Sequence, residues 1–314
     1  MGLCALLVGV QLGCRSQPGT PAPGPKPATD EVVAARAPGQ GSATLLLMAD
    51  IRGVLRPCGC TVDLQKGGFD RLKPWLDQAR RANPGAPLLH AGPLFFDGVK
   101  ADALKAPQRK RQSEVVADLV GRVGIDVAAL SSVDLAAAEE GLGDLLQRAA
   151  LQVVATNLEP PARPANVKPY IVETVGDLQV GLFALVPEVE GVTTSDPREA
   201  TERTLKSLRT QADVVVLLSG LGLRNTKRLV RAVEGIDFAV VGGLGEHPVV
   251  SDEAEEVGGT RVVQFHREGR FIGRLTIDLA EGARDFQNVS HPSPDEIETL
   301  NTRVKSLTTQ LAGW

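Results

Sequence analysis

Apolar residues recur along this chain in short unbroken runs, separated by amphipathic stretches. Runs at 44–49, 87–91, 125–130, 151–156, 179–186, 213–218 and 236–241 predict strands buried on both faces, because a half-exposed strand would alternate apolar and polar residues. The stretches 68–82, 101–122, 139–149, 198–211 and 224–234 between them carry the helical period. Near 169–174 and 260–279 the pattern is strand–turn–strand, with Gly258-Gly259 and Gly269 as turn signals. Strands alternating with helices predict an α/β domain with a mostly parallel sheet and antiparallel pairing late in the chain. After Pro292 the pattern changes. Ser293 starts a helix in which Ile297, Leu300, Val304, Leu307 and Leu311 recur every three or four residues, a seam of two heptads. It reads either as a terminal helix docked on its own domain or as a self-association contact.

The two ends of the chain add context. Residues 1–14 are apolar, too short to span a bilayer, and end in Leu12-Gly13-Cys14. That ending resembles a bacterial lipoprotein box, in which Cys14 becomes the lipidated first residue. No Lys or Arg precedes the run and Gln11 departs from the usual aliphatic residue, so a cytosolic N-terminus stays open. Residues 15–42 are rich in Pro, Gly and Ala, which cannot bury a core and act as a tether. The expected organisation is a signal peptide at 1–14, a linker at 15–42, one domain at 43–290 and a C-terminal helix at 291–314. The expected location is the periplasm or cell envelope, with the membrane reached through a lipid anchor. A net charge of −4 in 314 residues supplies no footprint for nucleic acid, and aromatics at 4% supply little for base stacking.

The chemistry concentrates around Leu47-Met-Ala-Asp50-Ile-Arg52-Gly, where a buried run ends on a carboxylate. A loop with Cys58-Gly59-Cys60 follows, then Gly67-Gly68 and Arg71. A disulfide between residues separated by one glycine closes a small ring and is readily reduced. Arg52 and Arg56 nearby would lower a thiolate pKa, which suits exchange with a redox partner. The competing use is a divalent metal held by the two thiolates with His90 and His247, and a structural disulfide is the plain alternative. His90 lies within an apolar run, where a core histidine is the simpler reading. Asn157, at a strand end, is expected to hydrogen-bond a loop.

Several blocks in order resemble the metallophosphoesterase domain of the periplasmic 5′-nucleotidase and UDP-sugar hydrolase family, over roughly residues 44–280. Asp50-Ile-Arg52-Gly is similar to its Asp-x-His-Gly, and Gly67-Gly68-Phe-Asp-Arg71 to its Gly-Gly-x-x-Arg. Ala91-Gly92-Pro93 falls on Ala-Gly-Asp, and Ser131-Ser132-Val133-Asp134 on the Asn-His-Glu region. Leu217-Leu-Ser-Gly220 falls on Leu-Ser-His, and Gly242-Gly243-Leu244-Gly245-Glu246-His247 on Gly-Gly-His-x-His. The Cys-Gly-Cys also resembles a subgroup described as UshA-like (seleno)proteins. The resemblance implies the four-layer α/β/β/α sandwich of the calcineurin-like phosphoesterases, and a two-metal hydrolytic site built from Asp, Asn and His.

At the matching positions most of those ligands are missing: Arg52, Pro93, Ser131-Ser132, Gly220, Leu244 and Glu246 stand where the family has metal-binding side chains, and His247 is one residue out of register. The first expectation is therefore a 5′-nucleotidase-like fold without dinuclear hydrolysis, with Asp50, Arg52, Arg71 and Asp134 lining the old cleft and Cys58 and Cys60 as the working pair. The second is a hydrolase with an atypical site drawn from Asp50, His90, Asp134, Glu246 and His247. The third is a surface scaffold.

Overall fold

The computed structural model describes residues 39–57, 67–98, 104–136, 141–160, 163–243, 254–265, 267–280 and 286. Cys14, Cys58, Cys60, Glu246, His247 and the seam of residues 297–311 lie outside the described residues.

The elements run β1 (Gly41–Ala49), α1 (Phe69–Ala82), β2 (Leu88–Ala91), α2 (Ala106–Val123), β3 (Val127–Ala129), α3 (Ser132–Ala136), α4 (Leu142–Ala149), β4 (Gln152–Val154), β5 (Val167–Lys168), β6 (Tyr170–Val175), β7 (Leu178–Leu185), α5 (Pro197–Leu208), β8 (Val214–Ser219), α6 (Leu223–Ala232), β9 (Phe238–Val241), β10 (Glu255–Val257), β11 (Thr260–Gln264) and β12 (Gly273–Leu279). They form two six-stranded sheets, ordered β12-β1-β2-β3-β4-β5 and β10-β11-β9-β8-β7-β6.

The apolar runs are explained by layering. In β1, Leu45, Leu47 and Ala49 pack between the two sheets, while Leu46 and Met48 face the layer that also contains buried residues of α1, α2 and α4. In β8, Val214, Val216 and Leu218 face the first sheet, while Val215 and Leu217 pack with residues of α5 and α6. Neither face meets water, so neither needs polar residues. The result is a four-layer α/β/β/α sandwich. β1 begins at Gly41, two residues inside the predicted linker, because Gly41 through Leu47 pair antiparallel with Leu279 through Gly273.

At the amino ends of the strands, aspartates saturate the first backbone N–H groups of the neighbouring strands. Asp126 accepts from Leu88 N–H (2.7 Å), Asp213 from Gln179 N–H (2.8 Å) and Asp237 from Val215 N–H (2.7 Å). Asp237 also pairs with Arg209 at 3.0 Å. The opposite, carboxyl end is built differently.

Candidate functional site

Loops after parallel strands converge at the carboxyl edge of a sheet, and here they meet backbone to backbone. β1 delivers Asp50 to a tight loop in which Asp50 (φ 52°), Arg52 (φ 58°) and Gly53 (φ 70°) are all left-handed. The N–H groups of Asp50, Arg52 and Gly53 donate to the carbonyls of Ala91, Pro93 and Leu94, each at 3.0 Å, so this loop runs alongside the one after β2. From the second sheet, Gly242 N–H donates to Ser219 O (2.8 Å) and Gly222 N–H to Gly242 O (3.3 Å). Glycine is required at this contact: a Cβ on Gly92 would lie 1.9 Å from Asp50 Oδ1, and one on Gly242 would lie 2.6 Å from Ala91 O.

The Asp50 carboxyl group therefore rests on the Gly92 backbone, and its Oδ1 accepts from Gly243 N–H at 2.9 Å. Its carbonyl accepts from Glu268 N–H at 2.6 Å, which ties in the turn before β12. Glu268 is also left-handed (φ 69°), so three of the four non-glycine residues with positive φ among the described residues meet at this point. Such conformations cost about 1–3 kcal/mol each and cluster where function requires them.

Burial pushes the Asp50 carboxyl from 3.8 up to about 7, against the Gly243 N–H and the charges of Arg52 and Arg267; nearby Asp134 adds to the rise. Arg52 Nη2 donates to Asp97 O at 3.1 Å, while its buried Nε has no hydrogen-bond partner among the described residues. His90 is fully buried, and Ile51 N–H donates to its Nε2 at 3.3 Å. That bond assigns the imidazole proton to Nδ1, which is buried without a partner among the described residues. Burial lowers the His90 pKa from 6.5 to about 3, so the ring is neutral.

No protein-family model matches the chain. In sequence it is 26% identical over 249 residues to bovine 5′-nucleotidase, covering 68% of this chain and 42% of that protein. It is 28% identical over 185 residues to the uncharacterized metallophosphoesterase YunD of Bacillus subtilis, covering 55% and 39%. The match thus spans about two fifths of these relatives' length. In structure it superposes on the calcineurin-like phosphoesterase YfkN of Bacillus subtilis with a TM-score of 0.60 and 18% identity, covering 78% of this chain and 88% of that one. The fold is that of the calcineurin-like metallophosphoesterases. In sequence the chain is similar to 5′-nucleotidases and to a bacterial metallophosphoesterase.

Within the metallophosphoesterase fold, the residues singled out from the sequence separate. Asp50 and Arg52 stand together at the carboxyl edge. Asp134 is not an open cleft residue. It is 1% exposed, and its carboxylate accepts from Leu94 N–H (3.1 Å), Phe95 N–H (3.0 Å) and Ser131 Oγ (2.7 Å), stitching the loop after β2 to α3. Burial raises its pKa while these bonds oppose the rise. His90 packs in the core, bonded to the Ile51 backbone, and joins no ligand group among the described residues. Arg71 lines a different cavity, between α1 and the turn before β12. Among the described residues there is no group of three His, Cys, Asp or Glu side chains able to hold a metal ion.

Asn157 does bond a loop, giving to Val186 O (2.8 Å) and taking from Val186 N–H (2.9 Å). Gly242 and Gly243 directly follow β9 and donate to Ser219 O and Asp50 Oδ1. Sequence reasoning missed two partners of Asp50, Gly243 and the Arg267–Glu268 turn. Gly243 lies 193 residues from Asp50, beyond any local pattern. The two ends of the cysteine-bearing segment lie against each other: Phe69 N–H donates to Leu55 O (3.2 Å), and a Cβ on Gly68 would lie 2.6 Å from Pro57 N.

Proposed function

We propose that this chain is an exported, lipid-anchored member of the UshA-like group. On this reading its metallophosphoesterase fold no longer supports two-metal hydrolysis, and its Cys58-Gly59-Cys60 loop carries out dithiol–disulfide exchange with a redox partner. The observation that carries the first half is the setting of Asp50. Its carboxyl is engaged by Gly243 N–H, packed on Gly92 and accompanied by Arg52, with no three-residue ligand group among the described residues. A guanidinium beside the position of a divalent cation opposes it by several kcal/mol in a cleft of moderate dielectric. The present donor set therefore does not fit a dinuclear centre. Two members of the atypical-hydrolase set, His90 and Asp134, are already engaged by backbone groups, which weighs against that second reading.

The second half rests on the cysteines' chemistry and on the closed ends of their loop. Leu55 and Phe69 hold those ends together. In exchange, two thiols become a disulfide as the partner's disulfide becomes two thiols, with two electrons and two protons passing across. Export would give the pair an oxidising compartment. Anchoring through Cys14 and self-association through the 291–314 helix belong to the same proposal.

The test is paired. With Mn, Zn, Co or Ca, the protein is expected to give no turnover of bis-p-nitrophenyl phosphate or nucleoside 5′-monophosphates above buffer. With glutathione disulfide, the reduced protein is expected to be oxidised by two electrons, and Cys58→Ser or Cys60→Ser is expected to abolish this. Metal-dependent turnover that Asp50→Ala removes would overturn the first half; unchanged two-electron oxidation in the double Cys→Ser variant would overturn the second.

A further inference from the structure

The two helices on the outer face of the second sheet differ in how their charges are matched. On α5, Arg198 pairs with Glu202 at 2.8 Å and Arg203 with Glu159 at 2.9 Å. On α6, Thr226, Leu229 and Val230 are buried, while Arg224, Arg228 and Arg231 are exposed. Spacings of four and three put these arginines on one face of the helix. α6 contains no Asp or Glu, and Glu255, which reaches it from β10, is taken by Lys227 at 2.6 Å. None of the three arginines takes part in an ion pair among the described residues. Lys206, in the last turn of neighbouring α5, is exposed on the same outer layer.

Like charges one helical turn apart repel, so this face is destabilising unless something outside the helix offsets it. The chain as a whole carries −4, so an anionic surface would be drawn to this face and not to the molecule at large. Phosphate oxygens accept the guanidinium fork. The point where the chain enters the domain favours a bilayer as that surface. Gly39 N–H donates to Asp213, just before β8, at 2.8 Å. β8 pairs in parallel with β9, the strand into which α6 leads, so Arg231 in the last turn of α6 stands at the same edge. A Pro/Gly-rich chain of about 25 residues spans roughly 30 Å, which brings a bilayer at Cys14 within reach of that edge. We infer that the exposed face of α6 docks on anionic phospholipid headgroups through Arg224, Arg228 and Arg231. The inference rests on the proposed anchoring through Cys14 for the nearness of the membrane. It adds an electrostatic contact to the acyl one, a pairing that holds proteins on bilayers more firmly than either alone.

Vesicle co-sedimentation of the full chain carrying Cys14→Ser, which cannot be lipidated there, tests the face apart from the anchor. The vesicles are phosphatidylcholine alone and phosphatidylcholine with phosphatidylglycerol. Each cation at an anionic bilayer strengthens binding about fivefold, so the three arginines are expected to favour the phosphatidylglycerol vesicles by about 100-fold. In about 1 M salt that preference should vanish. Arg228→Gln with Arg231→Gln should lower it about 25-fold. Arg81→Gln with Arg122→Gln, the same change of charge at exposed positions on α1 and α2, should leave it unchanged. All four side chains are exposed, so folding should be preserved, with unchanged circular dichroism as the check. No preference for the anionic vesicles, or an equal loss in the α1/α2 variant, would overturn the inference. Binding to polyglutamate but not to the vesicles would overturn it in favour of an acidic partner. Failure of the anchor would show separately, as a wild-type mass without lipid on Cys14.

Discussion

The two ends of the parallel strands treat buried charge in opposite ways. At the amino end, Asp237 accepts from Val215 N–H and from both terminal nitrogens of Arg209, in a pair whose side chains are 16% and 6% exposed. Burial raises its pKa, but the Arg209 bonds and charge oppose the rise. At the carboxyl end, Asp50 has one N–H donor on its carboxyl group, and its pKa climbs to about 7. Among the described residues, buried atoms on Arg52 and His90 go without partners there, and three of the four non-glycine positive-φ residues gather there. Satisfied polar groups mark a region selected for stability; unsatisfied ones and backbone strain mark a region kept for something else. The carboxyl end is thus the strained end of the sheet, and among the described residues no group of three His, Cys, Asp or Glu side chains gathers there.

The sharpest way to break this contrast is at Arg209. Arg209→Ala should destabilise the protein by about 3–5 kcal/mol, read as the urea midpoint, because it leaves Asp237 buried without its counter-charge. Next comes the glycine contact. Gly92 (φ 81°) and Gly85 (φ 82°) share a backbone conformation, but a Cβ on Gly85 would meet nothing within 4 Å. Gly85→Ala should therefore cost only the conformational strain, about 1 kcal/mol, while Gly92→Ala, which drives a methyl into Asp50, should cost about 3 kcal/mol. Equal losses would mean that the Asp50 carboxyl is not seated on Gly92.

The pH-dependent change is the most specific. Asp50 keeps its proton up to about pH 7 when folded, against an ordinary value of 3.8. Between these values the folded chain binds more protons than the unfolded one. Its contribution to stability is therefore full below about pH 4 and is lost as pH rises through 7. Asp50→Asn should leave stability unchanged near pH 4 and raise it by up to about 4 kcal/mol at pH 8. His90 has the opposite sign: its contribution is present above 6.5 and lost as pH falls toward about 3. Destabilisation by Asp50→Asn at pH 8 would place Asp50 with Asp237 among the structural aspartates and erase the contrast.

Much of the fold is legible in the sequence because both faces of the inner strands are buried. Runs such as 213–218 need no alternation, and the observed β8 lies within one residue of that reading. Short elements escaped: β5 has two residues and α3 five, too few for any period to register. The start of β1 was hidden because its first residues are held by β12, more than two hundred residues away. The aspartates of the amino end carried a readable signal, since Asp126, Asp213 and Asp237 each stand immediately before an apolar run. The family pattern aligned Asp50 and Arg52 with its first metal-binding block, and both lie in the loop after β1. The site was not legible in its connections. Asp134 and His90 have the residue types of ligands, and only three dimensions reveal that backbone N–H groups already occupy them.

The most direct test of the central claim, that the fold persists without its dinuclear centre, is the native mass of the protein purified without chelator and then equilibrated with excess Mn or Zn. The expected result is the apo mass, or weak binding that Asp50→Ala does not change. Two ions retained per chain, and lost on Asp50→Ala, would contradict the account and make this chain a metal-dependent hydrolase.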